Sequence, residues 1–157
     1  MPVITIETRI RAPLDLCFDL ARDVSAHTQS AAFSAERVVE PGRTDGLLEL
    51  GDIVIFEGRH FGVMQRFMAR ITELERPNRF VDEMVEGAFK RRRHVHDFHF
   101  ANGTTIMRDT LDWQAPLGLL GDLADLVFLH RHMRWFVTTK QNALKQIAEK
   151  RVEIEMH

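Results

Sequence analysis

Residues 91–113 read RRRHVHDFHFANGTTIMRDTLDW. Asn102-Gly103 at its centre is the strongest short-range hairpin signal, because both residues tolerate the positive φ that a two-residue turn demands. The flanks alternate in character and predict two antiparallel strands, Arg91–Ala101 and Thr104–Trp113. A two-residue turn sets Ala101 opposite Thr104. It therefore sets His96 opposite Asp109, His94 opposite Leu111 and Phe98 opposite Met107. Alternation puts Arg92, His94, His96, Phe98 and Phe100 on one face, and Arg91, Arg93, Val95, Asp97 and His99 on the other. The first set, with Met107, Asp109, Leu111 and Trp113 of the second strand, is the more apolar and is expected to face inward.

Upstream the β pattern continues. Asp52–Arg59, Met64–Glu75 and Phe80–Glu86 read as strands, separated by Gly58 to Gly62, by Arg76-Pro77-Asn78 and by Gly87. Phe67, Ala69 and Ile71 share one face of the long Met64–Glu75 strand. Phe80–Glu86 has no clearly apolar face and is not oriented by pattern. Residues 40–51 read as turns and a short strand. At the start, residues 3–11 form a strand with Ile4, Ile6 and Ile10 on one side. Pro13 suits the first turn of a helix carrying the stripe Leu14, Cys17, Phe18, Ala21 and Val24. A second short helix covers about 25–32.

After Pro116 and Gly118 the period becomes helical, from roughly Leu119 to Arg151. The stripe is Leu119, Leu123, Leu126, Val127, His130, Met133, Phe136, Val137, Leu144 and Ile147. Asp122 and Asp125 near its start and Lys140, Lys145, Lys150 and Arg151 near its end complement the helix dipole. Such a helix would be ~45–50 Å long. Hairpin-linked strands need an antiparallel sheet, which normally buries one face. The fold class is therefore α+β: a curved antiparallel sheet of about six or seven strands wrapped around a long C-terminal helix, with two short helices after the first strand.

The bulk numbers fit one domain over residues 1–157, at 45% hydrophobic and 28% charged with a formal net charge of −2. No global positive field exists to attract nucleic acid. The run Lys90–Arg93 splits between strand faces and is surrounded by Asp82, Glu83, Glu86 and Asp97, as in a charge-balanced strand end. The first residues lack the apolar core of a signal peptide, and no apolar run approaches the ~18 residues of a membrane span. A cytoplasmic protein is expected. The single cysteine, Cys17, excludes an internal disulfide, and its place on an apolar stripe makes it core rather than nucleophile.

His94, His96 and Asp109 admit three chemistries. His-x-His on a strand with a carboxylate can bind zinc or iron. A carboxylate-oriented imidazole, His96 with Asp109, can move protons near neutral pH. The plainer alternative is a buried polar network lining a pocket, with no metal or other cofactor.

The order of elements resembles the START-like, or SRPBCC, helix-grip superfamily. The residues carrying the likeness are ETRIRAPLDLCFDLARD at 7–23, HFG at 60–62, ARITELERPNRFVDEMVEGAF at 69–89, HVHDF at 94–98, NGTTIMRD at 102–109 and PLGLLG at 116–121. They look like a branch of uncharacterised bacterial ligand-binding or polyketide-cyclase-like proteins. The chain departs from that branch at Ala88, where a proline is common, and at Arg92, where a tryptophan is. The resemblance implies a cavity for a hydrophobic or amphipathic small molecule, lipid-like or aromatic, between sheet and helix. Phe67, Ile71, Phe98, Met107, Trp113, Met133, Phe136 and Val137 would wall it, with His130 at its edge. His94, His96 and Asp109 would orient a polar end. The alternative is a cyclase, dehydratase or isomerase using His96 and Asp109. A monomer or weak homodimer is expected.

Overall fold

The computed structural model describes residues 2–32, 35–60, 62–116 and 128–156. β1 (Val3–Ile10) leads into α1 (Leu14–Ala21) and α2 (Val24–Ser30). Then come β2 (Arg37–Val38), β3 (Ile53–His60), β4 (Val63–Glu75), β5 (Arg79–Glu86), β6 (Arg91–Ala101) and β7 (Thr104–Gln114). The chain returns in a long helix, α3 (His130–Glu155). The expected helical residues Leu119 to Val127, with Asp122 and Asp125, lie outside the described residues. No helix among the described residues is long and apolar enough to cross a membrane.

All strands join one antiparallel sheet in the order β1-β7-β6-β5-β4-β3-β2. The β6–β7 register is the one the turn dictates: Ala101 pairs with Thr104, Phe98 with Met107, His96 with Asp109 and His94 with Leu111. Asn102 and Gly103 both take positive φ, 54° and 77°. Register shifts between β4 and β5 at Met68/Ala69 and Ile71/Glu73 help the sheet curl into a half-barrel. Its concave face is covered by α1, α2 and α3, the last lying mainly along β1 and α2.

Ile4, Ile6 and Ile10 are buried on the concave side of β1, as their alternation requires. The stripe Leu14 to Val24 is broken in two. α1 ends at Ala21, and Asp23 caps α2 by accepting hydrogen bonds from the Ser25 and Ala26 amides. Pro13 sits just before α1 in extended conformation, one position ahead of the first turn. The short strand expected within 40–51 is not there. It precedes that segment as β2, and Leu47 makes only a single bridge to Asp23. Positive φ at Gly46 and Gly51 keeps the segment turning.

Two apolar clusters fill the concave side. One gathers Phe18, Leu20, Val54, Ile71, Phe80, Phe98 and Met107 with Leu144 of α3. The other gathers Ile4, Ile6, Leu111, Trp113, Met133 and Val137. On β6 and β7 the inward positions between them are His94, His96 and Asp109. A polar layer therefore separates the two clusters. Phe100, expected indoors with Phe98, is 53% exposed because it lies beyond the end of the first cluster.

Candidate functional site

The inward face of β6 presents Arg92, His94 and His96 toward α3. Asp109 faces them from β7. The fourth member comes from β5: Phe80 pairs with His96 and Asp82 with His94, so Asp82 also points inward. The strand left unoriented by its sequence pattern thus supplies a second carboxylate.

Each contact has a defined partner. His96 Nε2 lies 2.8 Å from Asp82 Oδ2, and His96 Nδ1 lies 3.2 Å from Asp109 Oδ1. His94 Nε2 lies 3.2 Å from Asp109 Oδ2. Arg92 donates to Asp82 Oδ1 at 3.2 Å and lies 3.3 Å from His94 Nδ1. The two imidazoles stack with centroids 3.9 Å apart, and Phe80 stacks on the far side of His96 at 4.2 Å. The Arg92 guanidinium rests over the Phe67 ring at 4.5 Å.

The electrostatics divide the two histidines. Burial would depress the His96 imidazole, but the adjacent charges of Asp109 and Asp82 outweigh it and push it up to about 9. Burial and the neighbouring His96 cation press His94 down to about 4. Burial opposes ionisation of Asp82 and Asp109 as well. The cationic neighbours, His96 foremost, still hold both carboxyls well below the usual carboxylate range. At neutral pH the group is a charged His96 clamped by two carboxylates, with a neutral His94 stacked on it.

A second set adjoins the first. His27 of α2 contacts Glu36 at 2.7 Å, and Lys140 Nζ lies 2.9 Å from His27 Nε2. Lys140 was expected to complement the end of the helix dipole. It sits instead near the middle of α3 and turns inward beside Phe136, where burial depresses its ammonium. Gln141, also unmarked in the apolar stripe, is buried and donates to the Ile6 carbonyl at 3.3 Å.

Three adjoining chambers lie between α3 and the sheet. The outer one, about 90 Å³, is lined by Phe56, Phe67, Phe89, Leu129 and Met133 among others. The middle one, about 80 Å³, reaches Ile71, Phe80 and Asp82. The inner one, about 50 Å³, ends at His94, His96 and Asp109 under Met107, Val137 and Gln141. Arg92 and Phe136 border all three.

Most of the expected wall residues therefore meet a chamber: Phe67, Ile71, Met107, Met133, Phe136 and Val137. Three do not line these chambers. Phe98 is closed into the core, 5.3 Å from the Phe18 ring. Trp113 is sealed in the second cluster. His130 is half-buried, with its ring 6.0 Å from that of Trp113. Arg134 is exposed. The basic run splits as alternation requires. Arg91 pairs with Asp112, and Arg93 with Glu73 at 3.0 Å, both on the convex face. Arg92 alone goes inward.

The most compact metal-type donor set among the described residues is Asp82, His94 and His96, with ligand atoms within 4.8 Å of one another. It differs from the expected His94, His96 and Asp109. The Arg92 guanidinium already occupies lone pairs of Asp82 and His94, and a fixed cation there opposes a metal ion. The residues fit a charge-paired polar network better than a metal centre.

No protein-family model matches the sequence, and no curated protein does. Solved structures match along nearly the whole chain. TTHA0849 from Thermus thermophilus aligns with TM-score 0.76 at 20% identity, over 92% of this chain and 95% of that one. A START superfamily protein from Mycobacterium smegmatis aligns with TM-score 0.71 at 12% identity, over 94% and 97%. Ginseng major latex-like protein 151 from Panax ginseng gives the same TM-score, identity and coverage. The likeness extends over nearly the full length of each of these chains. The chain has the START/SRPBCC helix-grip fold.

Proposed function

We propose that this protein binds a hydrophobic or amphipathic small molecule between the sheet and α3, with its apolar body against Phe56, Phe67 and Phe136 and a polar end toward His94 and Asp109. The observation carrying this reading is the set of three adjoining chambers between the sheet and α3, with Arg92 and Phe136 bordering all of them. Their exposed walls are mostly apolar, with the polar groups gathered in the middle and inner chambers, a make-up that suits an amphipathic ligand. Movement of the Arg92 and Phe136 side chains would widen the space shared by the chambers.

The acid–base enzyme is the weaker alternative. A general acid or base works best with a pKa near the operating pH. His96 is held near 9 and His94 near 4, so neither is poised for proton transfer at pH 7.

The test is titration with N-phenylnaphthylamine, a neutral apolar fluorophore. Saturable binding at one site is expected. Ala21→Leu, which fills the inner and middle chambers that Ala21 lines, should weaken it at least about tenfold with unchanged circular dichroism. Unsaturable binding, or affinity indifferent to Ala21→Leu, removes the support for this reading.

A further inference from the structure

Among the described residues, two buried atoms of side chains lining the inner chamber lack a well-formed hydrogen bond: His94 Nε2 and Asp109 Oδ1. Both residues are only 6% exposed. Their 3.2 Å contacts with each other and with His96 are within ion-pair reach but poorly directed. Such atoms are costly to bury unpaired and are uncommon in folded proteins.

The tautomer of His94 follows from its neighbour. Arginine has five N–H donors and no acceptor. Arg92 Nη2 lies 3.3 Å from His94 Nδ1, so Nδ1 must accept. Neutral His94 therefore carries its proton on Nε2 and offers a donor to the chamber. Asp109 Oδ1, beside it, offers an acceptor.

One donor and one acceptor side by side match a single functional group. A hydroxyl donates one proton and accepts through its oxygen, so it satisfies both atoms at once. A carbonyl would satisfy His94 and leave Asp109 unpaired. A carboxylate would meet Asp109 as a like charge. A methyl group would leave both atoms unpaired. Leu20, Ala21, Met107, Val137 and Leu144 give this chamber an apolar wall beside the polar His27, Ser30, Lys140 and Gln141, which suits a hydroxyl on a hydrocarbon or aromatic body.

We propose that His94 and Asp109 form a hydroxyl-reading subsite, so that the preferred ligand class is an uncharged alcohol or phenol on an apolar skeleton. This rests on the binding function proposed above. Arg92 acts as a positioning residue by fixing the His94 tautomer.

The experiment uses the intact protein at pH 7 and compares β-naphthol, β-methylnaphthalene and β-naphthoate as competitors of N-phenylnaphthylamine. The expected order is naphthol tighter than methylnaphthalene and naphthoate by at least about tenfold. His94→Phe keeps a flat ring beside His96 but removes the donor. It should shrink the naphthol preference over methylnaphthalene to within about threefold. If the fluorophore binds but naphthol and methylnaphthalene compete equally, water satisfies the pair and the hydroxyl subsite is refuted, while the binding function stands. Preference for naphthoate, or an undiminished naphthol preference in His94→Phe, refutes it also. If the fluorophore itself shows no saturable site, binding function and subsite fall together.

Discussion

His96 donates through Nε2 to Asp82 Oδ2 at 2.8 Å, joining the neighbouring strands β5 and β6 beneath the long helix. Asp82 also accepts from Arg92. Replacing it by asparagine leaves two part-buried cations short of their counter-charge. Breaking a buried pair from one side is strongly destabilising, and the slight exposure of Asp82 moderates the effect. Asp82→Asn is expected to lower stability by about 2–3 kcal/mol in urea unfolding. A loss under about 0.5 kcal/mol, typical of a solvated surface pair, would contradict the network described.

The same cluster sets a pH dependence. The folded state raises His96 from 6.5 to about 9, so its contribution is complete below pH 6.5 and is lost as pH rises toward 9. His94 is depressed from 6.5 to about 4, so stability falls as pH drops through that window. His27, also depressed, acts in the same direction as His94, and Lys140 opposes His96 on the alkaline side. Comparison with His96→Phe isolates the His96 contribution. The stability difference between wild type and His96→Phe should shrink by on the order of 1–3 kcal/mol between pH 6.5 and 9. A difference constant over that range would mean that His96 is neutral in the fold.

The hairpin and its register are legible in the sequence because Asn102-Gly103 admits one turn geometry, and every later pairing follows by counting. Once the apolar partners Phe98 and Met107 are placed indoors, His94, His96 and Asp109 must accompany them. Asp82 is not legible by pattern. Phe80, Asp82 and Met84 on one face and Val81, Glu83 and Val85 on the other are equally mixed, and the register shifts between β4 and β5 defeat counting across that pair. The useful signal is physical: an inward face carrying Arg92, His94 and His96 needs more than one carboxylate, and Asp82 is in phase with inward Phe80. Lys140 is misplaced when charge is read by position along the helix. Its spacing from Phe136 and Val137 puts it on their side of α3. Gln141 fills the gap between Val137 and Leu144 in the stripe, and an apolar-only pattern passes over it.

Cys17 bears on whether α1 opens in the native state. It is fully buried in the first apolar cluster, and burial pushes its thiol up to about 11. Only the thiolate reacts with an aromatic disulfide reagent. At pH 8 the native protein is expected to label at least about a thousandfold more slowly than the protein in guanidinium, at a rate set by local or global opening. Rapid native labelling would show α1 detaching from the sheet.

Arg92 is the side chain on which the cavity geometry turns. It borders all three chambers, lies over Phe67 and holds Asp82. Arg92→Ala removes a side chain common to the walls of all three chambers and one of the partners of Asp82. The lost ion pair and ring packing should cost about 1–2 kcal/mol in urea unfolding. The widened chambers should nevertheless hold N-phenylnaphthylamine several-fold more tightly, because Arg92 need not move aside to admit it. Loss of stability with tighter binding marks Arg92 as an obstruction in the cavity. Weaker binding would instead make it a direct contact for the ligand, and the widened-chamber geometry would then be wrong.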